Sequence, residues 1–125
     1  MLRACYELLK PGGRIALTTI YIAQGVSERD YRRASRVRGP GAASKRATTE
    51  MLEAAGFEHI REDDVTTAFA RTTNAYLRTS AIHEAALRRE WGDEKFDEHQ
   101  RDRRATLALI REGVLLRGLF TARRP

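Results

Sequence analysis

The Pro11-Gly12-Gly13 triplet constrains this chain more than any other feature. Before it, Leu2, Cys5, Tyr6 and Leu9 recur at the spacing of a helix with one buried face. Proline cannot continue such a helix, and glycine supplies the positive φ that a sharp reversal needs. After it comes Arg14-Ile15-Ala16-Leu17-Thr18-Thr19-Ile20-Tyr21-Ile22, apolar on both faces and rich in branched residues. That run predicts a strand buried on both sides, typical of a parallel sheet covered by helices. The reversal within three residues lays the helix on the sheet.

The rest of the chain fits the same arrangement. Residues 23–47 have no clean period, and Arg29, Arg32, Arg33, Arg36, Arg38, Lys45 and Arg46 face only Glu28 and Asp30 there. A short helix is predicted near 27–37, broken by Gly39-Pro40-Gly41. Thr48 is the expected N-cap of a helix over 49–55, with Met51, Leu52 and Ala55 inside and Gly56 as its stop. A strand follows from Phe57 to about Val65. From Thr67 to Glu112 the pattern is helical. Phe69, Thr73, Tyr76, Ser80, His83, Leu87 and Trp91 form one stripe, and Gly92-Asp93 interrupts it. A second helix is predicted near 94–111, with Phe96, Leu107 and Ile110 on its apolar side. Val114–Ala122 reads as a final strand.

The bulk properties exclude several classes. A chain of 125 residues holds one small domain. It has no apolar run long enough for a membrane span, and its first residues carry acid without an apolar signal core. The lone Cys5 fits a reducing cytoplasm, the expected location. The net charge of +6 and pI near 10.1 raise nucleic acid as a partner. Only Lys10, Lys45 and Lys95 are lysines, however, and an Arg- and Ala-rich composition is also what a GC-rich genome produces. A small basic nucleic-acid-binding module built on the 29–46 segment therefore stays the second reading. His59 and His99 have no partner at ligand spacing, so no metal site is expected. Asp63-Asp64 and Asp93-Glu94 read as strand-end and helix-start acids.

The string Leu8-Leu9-Lys10-Pro11-Gly12-Gly13-Arg14-Ile15-Ala16-Leu17 resembles the "LKPGGR" helix–turn–strand of class I S-adenosylmethionine (SAM)-dependent methyltransferases. In that family it leads into strand 5. Met51-Leu52-Glu53-Ala54-Ala55-Gly56-Phe57-Glu58-His59-Ile60 resembles the family's next helix and strand 6. The terminal Gly113–Pro125 stretch looks like strand 7, which lies antiparallel between strands 5 and 6. The resemblance implies a partial Rossmann-like sheet of strands 5, 6 and 7, with residues 67–112 inserted before the last strand as a lid or substrate wall. It implies SAM as cofactor and a small-molecule acceptor. The family's glycine-rich cofactor turn has no counterpart here: there is no G-x-G-x-G pattern, so no cofactor-binding residue is expected in this chain. The implied state is the C-terminal half of an enzyme, inactive alone, with Met1 internal to a longer reading frame. Strand 5 would then expose an apolar edge, open to another copy or to a complementary cofactor-binding chain.

Ligands in open α/β sheets sit at the carboxyl edge of the strands, which points to Thr18, Thr19 and Tyr21. Tyr21 is a candidate for the acceptor pocket or a strand-end residue packed on a helix. Tyr31, Arg32 and Arg36 are candidates for an anionic acceptor or a solvated helix face. Tyr76, His83 and Trp91 share a helix face with Phe69. They could close over a substrate with His83 as general base, or form an ordinary core stripe. No catalytic residue is assigned.

Overall fold

The reversal at Pro11–Gly13 joins a helix to a strand within one turn. In the computed structural model, which describes residues 1–39 and 45–125, α1 (Leu2–Leu8) ends just before it and β1 (Arg14–Ile22) begins just after. Gly13 is obligatory there: a Cβ would stand 2.8 Å from the Lys10 carbonyl oxygen. The end of the chain locks the turn. Gly12 N–H donates to Arg124 O, Arg124 N–H donates to Gly13 O, and Arg124 Nη1 donates to Tyr6 O and Leu9 O. One cation thus satisfies carbonyls that the end of α1 leaves open.

The described residues form six helices and three strands in the order α1, β1, α2 (Glu28–Arg38), α3 (Lys45–Ala54), β2 (Glu58–Asp64), α4 (Thr66–Ile82), α5 (Glu84–Trp91), α6 (Asp93–Arg111) and β3 (Leu115–Arg123). The sheet order is β1-β3-β2, and β3 is antiparallel to both neighbours. β1 and β2 therefore point the same way with the last strand between them, the arrangement expected for strands 5, 7 and 6.

Two apolar layers sandwich the sheet. On one face, Leu52 and Ala55 of α3 and Leu2, Tyr6 and Leu9 of the α1 segment meet Ile15, Leu17, Phe57, Ile60, Phe120 and Ala122. On the other, Ala34 of α2, Phe69 of α4, and Leu109 and Ile110 of α6 meet Ile20, Ile22 and Leu115.

Several expectations are corrected. β1 is not buried on both sides throughout. Arg14, Ala16 and Thr18 are exposed, because among the described residues the second helical layer covers only the carboxyl end of the strand. Thr48 is not an N-cap: α3 starts at Lys45, so Thr48 lies within the helix and is buried. The long stripe breaks at His83, which separates α4 from α5. Only its first turns, Phe69 and Thr73, are buried, while Tyr76 is 53% exposed and Trp91 42%. Helical period alone does not reveal how far along a helix its covered part extends. Gly39 ends α2, whereas Pro40 and Gly41 of the expected breaker lie outside the described residues. Among the described residues no helix is long and apolar enough to cross a membrane.

Candidate functional site

Parallel β1 and β2 bring their carboxyl ends to one edge, and a cleft of about 630 Å³ opens there. Tyr21, Ile22 and Gln24 line it from β1 and the turn beyond, Glu62 and Asp64 from β2, Leu116 from β3, and Arg46 and Thr49 from α3.

Tyr21 organises the floor. Its side chain lies on the α1/α3 face, 5% exposed, and its hydroxyl donates to Glu62 Oε1 at 2.9 Å. The two residues sit on strands that do not touch, with β3 between them. Gly118 of β3 makes the contact possible, since a Cβ there would stand 2.9 Å from Glu62 Oε1 and 2.9 Å from the Phe120 ring. Burial raises the Tyr21 pKa to about 12, and the Glu62 hydrogen bond and the Glu62 and Asp64 charges push the same way. Tyr21 is therefore a neutral donor to Glu62 near neutral pH. Its oxygen keeps lone pairs that can accept from a ligand. Around it, Ile22 and Leu116 offer apolar wall, and Arg46 is paired with Glu50 at 2.7 Å. The site can hold a small molecule against apolar surface and orient it by hydrogen bonds to a phenol and carboxylates.

The other candidates are not brought to this cleft. Tyr31 is 54% exposed, and Arg32 pairs with Glu28 on its own helix. Tyr76 stands under Arg103, 4.2 Å from guanidinium carbon to ring centroid. His83 is exposed between α4 and α5, so the helix break keeps it from a shared face with Tyr76. Trp91 stacks on His99, with centroids 5.1 Å apart. Glu62 was missed in the sequence. Its only signal was its place near the end of a strand parallel to β1, and the missing side chain at Gly118 became meaningful only with the register. Among the described residues no group of three His, Cys, Asp or Glu is placed to hold a metal ion.

The Arg-rich segment spends part of its charge internally. Arg33 joins Asp30 and Glu112, Arg32 joins Glu28, and Arg46 joins Glu50. This pairing lowers the charge available to a polyanion.

No protein-family model and no curated protein sequence matches the chain. Solved structures do. Phosphoethanolamine N-methyltransferase 2 of Haemonchus contortus, in complex with S-adenosyl-L-methionine, superposes with a TM-score of 0.82 at 17% identity, over 99% of this chain and 29% of that one. A Galdieria sulphuraria protein assigned as a sarcosine dimethylglycine methyltransferase gives 0.83 at 15% identity, over 98% and 46%. The cyclopropane synthase MmaA2 of Mycobacterium tuberculosis gives 0.80 at 17% identity, over 98% and 48%. The chain thus spans less than half the length of each of these proteins. Its fold is part of the Rossmann-like fold that they share.

Proposed function

We propose that these residues form the acceptor side of a SAM-dependent methyltransferase that acts on a small molecule, and that the cofactor-binding elements lie outside these 125 residues. The single observation that carries this reading is the position of the Tyr21–Glu62 cleft at the carboxyl edge of a β1-β3-β2 sheet. Ligands of open α/β sheets bind at that edge. The fold likeness supports the chemistry, because one similar structure holds S-adenosyl-L-methionine.

Among the described residues, those at the turn leaving β1 do not make a site for that cofactor. The turn leaving β1 has one glycine, Gly25, and the helix after it is capped by its own Ser27, which accepts from Asp30 N–H. No run of glycines there lets backbone close around a nucleoside. No step through the cofactor is therefore derived. What these residues do in this reading is bind and orient the acceptor. Methyl transfer by in-line displacement depends on alignment and exclusion of water more than on a strong base. Tyr21 and Glu62 hold the acceptor's polar group, and Ile22 and Leu116 exclude water. Phe69, Leu109 and Ile110 anchor the α4–α6 insertion to the opposite face of the sheet, and among the described residues it lends none of the lining of this cleft. The lone Cys5 supports a cytoplasmic setting.

Isothermal titration with SAM tests the division of labour. The expected result is no binding at micromolar concentration, and micromolar affinity for the isolated chain overturns it. The acceptor side is tested by nuclear magnetic resonance with a panel of small amines, alcohols and carboxylic acids. Shifts confined to Tyr21, Ile22, Glu62 and Leu116 are expected. Shifts elsewhere only, or none, sink the assignment.

A further inference from the structure

The α4–α6 insertion carries a groove of its own. About 450 Å³ opens between the end of α4, α5 and α6, and its lining falls within residues 81–104. The groove shares no lining residue with the Tyr21–Glu62 cleft. Gln100 stands out in it. It lies on the buried stripe of α6, four residues after Phe96 and seven before Leu107. Both of those are apolar, yet Gln100 is buried alongside them at 6% exposed. Its side-chain amide makes no hydrogen bond among the described residues. Nor is the amide sealed in, because Arg117 Nε is the one fully buried side-chain polar atom among the described residues that lacks a partner. The Gln100 amide therefore opens into the groove that the residue lines. Withdrawing an amide from bulk water without a partner is costly. A ligand that offers both a donor and an acceptor relieves that cost.

The charges on either side of Gln100 are sorted by sign. Toward the start of α6, three carboxylates converge on one cation. Arg88 donates to Glu84 Oε1 at 2.9 Å, to Asp93 Oδ1 at 3.2 Å and to Asp97 Oδ1 at 2.8 Å. The guanidinium is held in place over the Phe96 ring, 4.5 Å from its centroid. One positive charge among three negative ones leaves that end acidic, and Glu94 lines the same end. Further along α6 stand Arg101 and Arg104. Among the described residues neither has a carboxylate within ion-pair distance. Asp97 precedes Arg101 by one helical turn and Arg104 by two, which separates the two signs by about 6–10 Å along the axis. Gln100 lies between them.

We propose that this groove binds a short zwitterion of the dipeptide class, with a free ammonium, an amide and a free carboxylate in line. The ammonium sits by Asp97 and Glu94. The ligand amide exchanges hydrogen bonds with the Gln100 amide, and the carboxylate meets Arg101 and Arg104. A ligand of one sign leaves one end unmatched, and a nucleic-acid strand is repelled by the acidic end. The volume of about 450 Å³ lies in the ordinary range of small-molecule sites. The inference goes beyond the methyl-transfer reading. Its test uses neither SAM nor a methyl acceptor, so either reading can fail alone.

The test is a nuclear magnetic resonance titration of the whole isotope-labelled chain with alanylalanine. The sequence has two glutamines, Gln24 at the Tyr21–Glu62 cleft and Gln100 in this groove, so their side-chain amide signals report the two sites separately. A saturable shift of the Gln100 signal is expected, with the Gln24 signal unmoved. The N-acetylated dipeptide and the C-terminal amide each lack one charge. Each should bind roughly threefold to fivefold more weakly, the worth of an exposed ion pair. Gln100→Leu should weaken binding roughly tenfold or more, yet raise the melting temperature, because leucine fills the floor without an unpaired amide. A purely structural glutamine would instead lower the melting temperature when replaced. A silent Gln100 signal at millimolar dipeptide overturns the proposal, as does a shift at Gln24 only. Equal affinity for the free and blocked dipeptides also overturns it, as does undiminished binding to Gln100→Leu. The blocked dipeptides are used on the unmodified protein, so the test holds even if the Gln100 variant folds poorly.

Discussion

Tyr21 and Glu62 meet over Gly118, the one residue between them that has no side chain to keep them apart. Adjacent strands lie about 4.8 Å apart, so β1 and β2, flanking β3, are separated by roughly twice that. A tyrosine is long enough to cross this gap only if nothing stands in the middle.

Gly118→Ala should therefore cost more than its single methyl group suggests. The new Cβ meets Glu62 Oε1 and the fully buried Phe120 ring, each at 2.9 Å, and the ring has no room to retreat. A loss of about 1–3 kcal/mol is expected in urea unfolding, the range for overpacking. Tyr21→Phe alone should cost about 1 kcal/mol, the net worth of one hydrogen bond. The two losses should add to less than their sum, because both variants remove the same contact. Full additivity would mean that Gly118 does not act through the Tyr21–Glu62 pair.

Tyr21 also predicts an alkaline signature. Its folded pKa is raised to about 12, above the ordinary value near 10.0. The folded state thus holds a proton that the unfolded state releases first. The stability from this group is complete below about pH 10 and is lost as the pH rises toward 12. In a tyrosinate absorbance titration, Tyr21→Phe should remove a component that ionises near pH 12. Its stability should also fall less steeply over the same range.

Arg33 sets an acid-side dependence of opposite sign. It donates to Asp30 at 2.9 Å and to Glu112 at 2.8 Å, tying α2 to the end of α6. The Arg33 hydrogen bond is the main cause that lowers both carboxyl pKa values. The stability they contribute is therefore present above the ordinary carboxylate range and lost as the pH falls below about 4. Arg33→Gln should flatten the change in melting temperature between neutral and acid pH. An unchanged slope would show that these contacts are not held in solution.

Core and surface should separate cleanly. Phe120 is fully buried, and Phe120→Ala should cost about 3–5 kcal/mol. Tyr76→Ala and His83→Ala should each stay within about 1 kcal/mol, since both side chains are exposed. A core-sized loss at Tyr76 or His83 would restore the full helical stripe as a packed face.

Local chemistry was legible in the sequence wherever a residue type has one conformational use. Pro11, Gly12 and Gly13 could only reverse the chain, and Gly56, Gly92 and Gly113 marked ends of elements. The branched run after Gly13 could only be a strand, and the resemblance carried by residues 8–17 and 51–60 supplied the order of the sheet. What the tertiary structure alone decided was the pairing of distant residues and the extent of each covered face. Whether Tyr76 is core or surface depends on where α6 stops covering α4. That Glu62 belongs with Tyr21 depends on a register, which places Gly118 of a third strand between them. Periodicity encodes a direction around a helix or strand, whereas a site needs distances between separate elements, and only packing sets those.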